Sequence, residues 1–308
     1  MSRTPLLQHT IQEPTSVEGV GYWNGREIRV EFRPAEPNSG VFFVRENSED
    51  GRTVRIPAHV SYRVDTPRRS DLERDGVVIA MVEHALASLR GLEIDNCEIH
   101  VTETEMPGLD GSALPFVRAI QKAGRRPQDA SLQILHIEKT IRVGDDDAWI
   151  EVEPVDDGLT HLAYLLDYGE NNSIGRQCAE LTLTPDAFVD SIARARTFLL
   201  QDEAEKLQRQ GLGERTTFQE LLVFGDDGPI DNELRFGNEC ARHKLLDMTG
   251  DLAMAGIRIA GRFTAFRSGH HLNAELVREI LSSAQASGVR IEVAMDGVPV
   301  ESLTSTSS

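Results

Sequence analysis

Residues 238–251 read Asn238-Glu239-Cys240-Ala241-Arg242-His243-Lys244-Leu245-Leu246-Asp247-Met248-Thr249-Gly250-Asp251. Leu245, Leu246 and Met248 give the middle of this stretch an apolar face and Gly256 offers a stop, so the segment is predicted to be a helix. On that helix His243 and Asp247 stand at i and i+4, one turn apart on one face, and Asp251 continues the row. An imidazole and a carboxylate so placed can hold a borderline cation such as zinc. A lone His-xxx-Asp is more often a solvated polar stripe, so the pair needs support from elsewhere in the chain.

That support comes from a repetition. After the helix the chain is predicted to run through a strand, Ile257 to Phe266, a Gly-containing turn, and a helix from about Asn273 to Ala286. An earlier stretch follows the same order. Val77 to Ile79 run into a helix with Val82, Leu86 and Leu89 that closes at Gly91; then come a strand from Cys97 to Thr102 and the turn Asp110-Gly111-Ser112. A helix with Phe116, Val117 and Ile120 inward ends this stretch at Gly124. His84 precedes Ser112 by 28 residues, and His243 precedes Asn273 by 30. The pattern predicts an α+β fold of two similar halves from a duplicated unit, each packing helices on a sheet. Packed through a pseudo-twofold, the halves would set His84 against His243 and Asp247 as a third ligand, with the metal site in the cleft between them. A catalytic zinc typically takes three protein ligands and leaves one position open. Glu83, about 100° round its helix from His84, would then be placed as a general base. The HExxH spacing of zinc peptidases is absent.

The remaining segments fill out the two halves. Leu6 to Glu13, the alternating Ile28, Val30 and Phe32, Val41 to Val44 and Arg52 to Ile56 are predicted strands. Thr66 to Gly76 is dense in charge and reads as a surface loop. Arg125 to Ser131 is polar and holds Pro127, which sets the domain boundary and divides the chain into 1–126 and 127–308. Strands follow around Ile134 to Val143 and Ala148 to Val152, joined by the Gly144 to Asp147 turn, then Leu159 to Leu166 and Gln177 to Leu183. Thr184-Pro185 starts a helix. Thr197 to Asn232 is irregular, with a short polar helix and a strand from Glu220 to Phe224.

Composition bounds the function. The 308 residues suit two domains, and 40% hydrophobic with 27% charged residues suit a soluble globular protein. A balance of 32 basic against 50 acidic residues, −18 overall, argues against wrapping nucleic acid or lying on an anionic membrane. Cys97, Cys178 and Cys240 are too dispersed for a disulfide framework or a CxxC knuckle, which points to a reducing, cytoplasmic setting. No stretch approaches the roughly 20 apolar residues of a membrane span, and no stable membrane insertion is expected.

Two further positions can carry chemistry. In Ser268-Gly269-His270-His271, a turn after a strand, one of the histidines could donate a proton to a leaving group. In Arg194-Ala195-Arg196-Thr197-Phe198, the Thr197 hydroxyl could donate to a developing oxyanion. Taken singly, each reads more simply as a polar turn and a capping threonine.

Together these motifs resemble a known family. Val82-Glu83-His84 with Leu86 to Leu89, Gly91, Ile94-Asp95-Asn96 and Asp110-Gly111-Ser112-Ala113 resemble the first half of the UDP-3-O-acyl-N-acetylglucosamine deacetylases. Ile192 to Phe198, His243-Lys244-xx-Asp247 with Gly250-Asp251-Leu252, Phe263-Thr264-Ala265 and Ser268-Gly269-His270-x-Leu272-Asn273 resemble the second half, in order and over nearly the whole chain. The resemblance implies a cytoplasmic zinc hydrolase of lipid A synthesis that removes acetate from a UDP-linked 3-O-acyl N-acetylglucosamine. It implies two two-layer α+β sandwiches with the metal between them, and an insert in the second, here between Leu199 and Phe224, that forms a passage for the acyl chain. Carried over by position, His84, His243 and Asp247 bind zinc and Glu83 activates water. His270 is the general acid, oriented by Asp251, and Thr197 and Lys244 stabilise the oxyanion. Arg267, Tyr168 and Phe198 fall at substrate-facing positions. A monomer is the simplest expectation.

The chain also departs from the family pattern. Gly21-Tyr22-Trp23 stands where Gly-Leu-His is usual, and Arg69-Ser70-Asp71-Leu72 where Arg-Thr-Thr-Leu is usual. Arg215-Thr216-Thr217-Phe218-Gln219-Glu220 replaces a Gly-Gly-Ser-Leu-Asp-Asn stretch, and no His-Pro follows Asp167-Tyr168. These changes surround the pocket and leave the metal set intact. They keep open a zinc amidohydrolase for another acylated amino sugar, and a non-catalytic paralogue that binds a precursor; Glu83 and His270 speak against the latter, since binding needs neither.

Overall fold

The computed structural model describes residues 5–47, 50–213, 217, 220–287 and 291–294. The fold is mixed α+β, with six α-helices among the described residues: α1 (Glu83–Gly91), α2 (Leu114–Ala123), α3 (Pro185–Ser191), α4 (Gln201–Arg209), α5 (Glu239–Ala253) and α6 (His270–Ser287).

A five-stranded sheet carries the first half, in the order Thr15–Val20, Glu27–Pro34, Cys97–Val101, Val41–Glu46 and Thr53–Pro57. Ile28, Val30 and Phe32 are buried from one face of Glu27–Pro34 while Arg29 and Arg33 stay exposed, as period-2 alternation requires. A seven-stranded sheet carries the second half around Arg258–Phe266, which pairs with Trp149–Glu153, Gln133–His136 and Thr160–Asp167. The Gly144 to Asp147 turn closes the hairpin of Ile141–Gly144 and Trp149–Glu153.

The helices follow the local signals. Thr184 caps α3, its hydroxyl accepting from the Ala187 amide at 3.3 Å, with Pro185 at the first helical position. α2 buries Phe116, Val117, Ile120 and Ala123 and ends at Gly124, whose φ of 76° a side chain would resist. α1 and α5 are different: eight of nine residues are buried in α1 and twelve of fifteen in α5, polar ones included. They pack on each other so closely that a Cβ on Gly250 would collide with the Glu83 carbonyl. One hydrophobic cluster runs through both halves, from Phe32 and Leu86 to Leu246 and Phe263.

Four local expectations are corrected. Thr66 to Gly76 is only in part a surface loop: Pro67, Arg68 and Glu73 to Gly76 are exposed, but Asp71–Arg74 is a strand and Ser70, Asp71 and Leu72 are buried. Charge there does not mean exposure, since Asp71 is satisfied by Arg69 at 3.0 Å and the Met81 amide at 3.2 Å. Val77–Ile79 is the strand paired with it, and α1 begins only at Glu83. Arg125–Ser131 is a strand paired antiparallel with Leu7–Ile11; a polar two-stranded ribbon has a loop's composition, and the boundary expected after residue 126 falls within it. α6 begins at His270 rather than near Asn273. The replaced stretch Arg215 to Glu220 lies mostly outside the described residues.

Candidate metal centre

The closeness of α1 and α5 brings the first turn of one against the middle of the other. His84 Nε2 lies 3.5 Å and His243 Nε2 3.3 Å from Asp247 Oδ1, and the two imidazoles meet edge to face with centroids 5.0 Å apart. Among the described residues these three form a group that could hold a metal ion, its ligand atoms all within 4.8 Å of one another. His243 Nδ1 lies 3.1 Å from the Ala195 carbonyl, which takes its proton and leaves the Nε2 lone pair facing the group. Burial lowers the His243 pKa to about 4, so the ring is neutral near pH 7. Burial alone would raise the Asp247 carboxyl, but His243 and Lys244 hold it well below its usual range, Lys244 Nζ donating to Oδ2 at 2.7 Å. Neutral imidazoles and an ionised carboxylate are the forms that bind a cation, so the donor set fits a borderline dication.

Two acid–base groups flank this set. Glu83 is 5% exposed, and burial raises its pKa. His270 Nδ1 is 2.9 Å from Asp251 Oδ2, and its Nε2 is 3.9 Å from Asp247 Oδ2. Burial alone would lower its pKa, but Asp251 and Asp247 outweigh burial and push it up to about 9. Arg267 holds a left-handed φ of 50° at the end of the strand, and the Tyr164 hydroxyl donates to the Ser268 carbonyl, so the chain turns sharply to start α6 at His270.

All of this opens on one cavity of about 1020 Å³. Every residue singled out in the sequence lines it except Asp251, which lies behind His270: Glu83, His84, Tyr168, Thr197, Phe198, His243, Lys244, Asp247, Arg267 and His270. Phe198 packs edge-on between His243 at 6.2 Å and Tyr168 at 6.1 Å. Its lining holds the basic side chains Arg69 and Arg267 as well as the apolar Leu207, Leu212 and Val223. Tyr22 and Trp23 also reach it, the Tyr22 hydroxyl donating to the Glu220 carbonyl at 2.6 Å.

A sequence profile described as UDP-3-O-acyl N-acetylglycosamine deacetylase matches residues 8–282. The chain belongs to this family. The UDP-3-O-acyl-N-acetylglucosamine deacetylase of Histophilus somni is 39% identical over 286 residues, covering 91% of this chain and 92% of that one. Those of Myxococcus xanthus (37% over 276 residues; 89% and 86%) and Syntrophotalea carbinolica (33% over 280 residues; 91% and 89%) are similar to it over comparable spans.

Several residues behind the site escaped the sequence reading. Arg196 and Glu239 form a buried ion pair at 2.9 Å, and Glu239 Oε1 also accepts from the Arg196 amide at 3.0 Å. This pair ties the start of α5 to the segment that presents Ala195 and Thr197. Ser70 donates to Asp251 Oδ1 at 2.6 Å and Asn273 Nδ2 to Oδ2 at 2.8 Å. Glu239, Asn273 and Ser70 all lie in stretches that the sequence singles out, but without a role there; the Ser70 partner is 181 residues away.

Proposed function

We propose that this family member is a zinc-dependent amide hydrolase that releases acetate from UDP-3-O-acyl-N-acetylglucosamine, a step of lipid A biosynthesis. The observation that carries the reading is the convergence of His84, His243 and Asp247 with Glu83 and His270 on the wall of one large cavity. His84, His243 and Asp247 would hold the zinc. When bound, the ion acts as a Lewis acid that eases deprotonation of water and polarises an amide carbonyl.

The chain's own groups account for the proton movements. Glu83, raised by burial, takes a proton from the water that attacks the carbonyl carbon. The Lys244 ammonium and the Thr197 hydroxyl face the oxygen on which charge then develops. An amine is a poor leaving group, so His270, held protonated by Asp251, delivers a proton to the nitrogen as the C–N bond breaks. Acetate leaves and the amine stays on the sugar. The apolar lining residues Leu207, Leu212 and Val223 suit the acyl chain, and Arg267, Tyr168 and Phe198 suit the nucleotide sugar.

The finer architecture belongs to the same reading. The five- and seven-stranded sheets, each with its helices, are two copies of one α+β unit, and His84 from the first with His243 and Asp247 from the second would hold the zinc. A monomer is the simplest form of this reading, and three free cysteines suit a reducing cytoplasm. No described helix is long and apolar enough to cross a membrane.

The test is elemental analysis combined with acetate release. The wild type should carry zinc and release acetate, and His243→Ala should lose the zinc. Glu83→Gln should keep it while turnover falls by about 10²–10⁴. Zinc-loaded wild type that leaves this substrate intact points instead to another acylated amino sugar or to a binding role.

A further inference from the structure

We infer that Ser70 is a positioning residue that fixes the Asp251–His270 pair relative to Glu83, an inference that rests on the deacetylase reading above. Ser70 is fully buried, just before the strand Asp71–Arg74. All three of its polar groups are engaged at the site. Its amide donates to Glu83 Oε2 at 3.1 Å, and its carbonyl accepts from the amide of Val82, the residue that precedes α1, at 3.0 Å. Its hydroxyl reaches across to the second half and donates to Asp251 Oδ1 at 2.6 Å. One residue therefore grips the start of the helix that carries Glu83, the Glu83 carboxylate itself, and the carboxylate behind His270.

The hydrogen bonds of Asp251 make this grip specific. Its Oδ2 receives His270 Nδ1 at 2.9 Å and Asn273 Nδ2 at 2.8 Å, and both donors ride on α6. Asn273 Oδ1 in turn accepts from Ser268 Oγ at 2.7 Å. Those contacts hold His270 to Asp251, but all of them lie within the second half; the backbone contact of Gly250 with Glu83 fixes the two helices without setting the direction of the Asp251 carboxylate. Ser70 is the donor to Asp251 that comes from the first half, where Glu83 sits. Glu83 takes its proton from the water and His270 gives its proton to the nitrogen of the same tetrahedral centre. The two must therefore keep a fixed separation, to within about 0.5 Å for a productive geometry. A buried serine with no such duty commonly bonds a carbonyl of its own turn. This one reaches a carboxylate 181 residues away.

Ser70→Ala removes only the hydroxyl and leaves the amide on Glu83. In the zinc-loaded enzyme it should lower kcat by about 10–100-fold, the usual cost of an outer-shell partner, with zinc content unchanged and KM within about twofold. Ser70→Thr keeps the hydroxyl and should recover most of the rate. In a His270→Ala background, Ser70→Ala should cost nothing further, because the hydroxyl acts through that imidazole. Wild-type kcat in Ser70→Ala, a loss confined to KM, or a loss that multiplies in full onto His270→Ala overturns the inference. If Ser70→Ala does not fold, Ser70→Cys keeps the size with a weak donor, and its kcat must fall; wild-type kcat there overturns the inference as well. Acetate release by wild type and its loss in Glu83→Gln report separately on the deacetylase reading.

Discussion

The α1–α5 contact that assembles the metal group should be breakable by one methyl group. In Gly250→Ala the new Cβ would land on the Glu83 carbonyl oxygen and stand 2.7 Å from its carbon and 2.9 Å from its Cα, where ordinary contact begins at 3.4 Å. These are backbone atoms of a buried helix, so no side chain can swing away. Bringing the carbon alone to 3.4 Å moves the helices apart by 0.7 Å. The oxygen demands more, so a separation of about 1 Å is expected in a core packed to crystal density. Overpacking of this kind costs about 1–3 kcal/mol, offset by roughly 1 kcal/mol from replacing a mid-helix glycine with alanine. The net loss of stability is therefore small. The functional loss is not, because the shift falls between Glu83 and His84 on one side and His243 and Asp247 on the other. A misplacement of about 1 Å can cost on the order of 10²-fold in rate. We expect Gly250→Ala to remain folded in thermal denaturation, to bind zinc more weakly by elemental analysis after dialysis, and to release acetate about 10²-fold more slowly. A variant with wild-type turnover and zinc content would refute the argument, since the metal group could not then depend on that approach.

Two further outcomes follow from the geometry. His270→Ala should keep zinc and lose about two to four orders of magnitude in turnover, whereas His271→Ala, whose ring bonds Asp65 at the rim, should lose less than about tenfold; the reverse pattern would make His271 the acid. The second concerns acid stability. Burial alone would raise Glu93, but Arg258 and Arg125, the latter at 2.5 Å, hold it below its ordinary 4.5. The stability it contributes is thus complete above that pH and is lost as pH falls through the depressed folded value. The melting temperatures of wild type and Glu93→Gln should differ modestly near neutrality, less so in high salt, and converge on acidification; a gap independent of pH would show the carboxylate's charge to be immaterial.

What was legible in the sequence was what is local. α2 was readable because its apolar residues recur at helical spacing and Gly124 marks its end. The His243–Asp247 pair was readable because i and i+4 share a face whatever the rest of the chain does. The rest of the site depends on distances that periodicity does not encode. Arg196 meets Glu239 across 43 residues and Ser70 meets Asp251 across 181. Composition misled where polar residues satisfy one another out of water. Within the charged stretch from Thr66 to Gly76, Asp71–Arg74 is a strand whose Asp71 is buried because it has Arg69 and the Met81 amide, while Glu73 to Gly76 stay exposed. The polar ribbon at Arg125–Ser131 looked like a linker because both kinds of segment use the same residues.

His270 and His271 are identical in chemistry and adjacent in sequence, so no property of the residues themselves separates them; on the turn's sequence alone, either could be the acid. Because α6 begins at His270, consecutive side chains leave the helix about 100° apart. One rotation carries the His270 ring inward, with 6% of its side chain exposed, onto Asp251 and toward Asp247. The next carries His271 to the rim, 66% exposed, where it meets Asp65 and Glu275. Burial between two carboxylates is what fits His270, and not His271, to the proposed role of proton donor. That burial is made by the left-handed turn at Arg267 and by Asp251 one turn beyond Asp247 on α5. The different surroundings of two identical neighbours, on which their proposed roles rest, are thus set by where the helix starts and by what the opposite helix places beneath it.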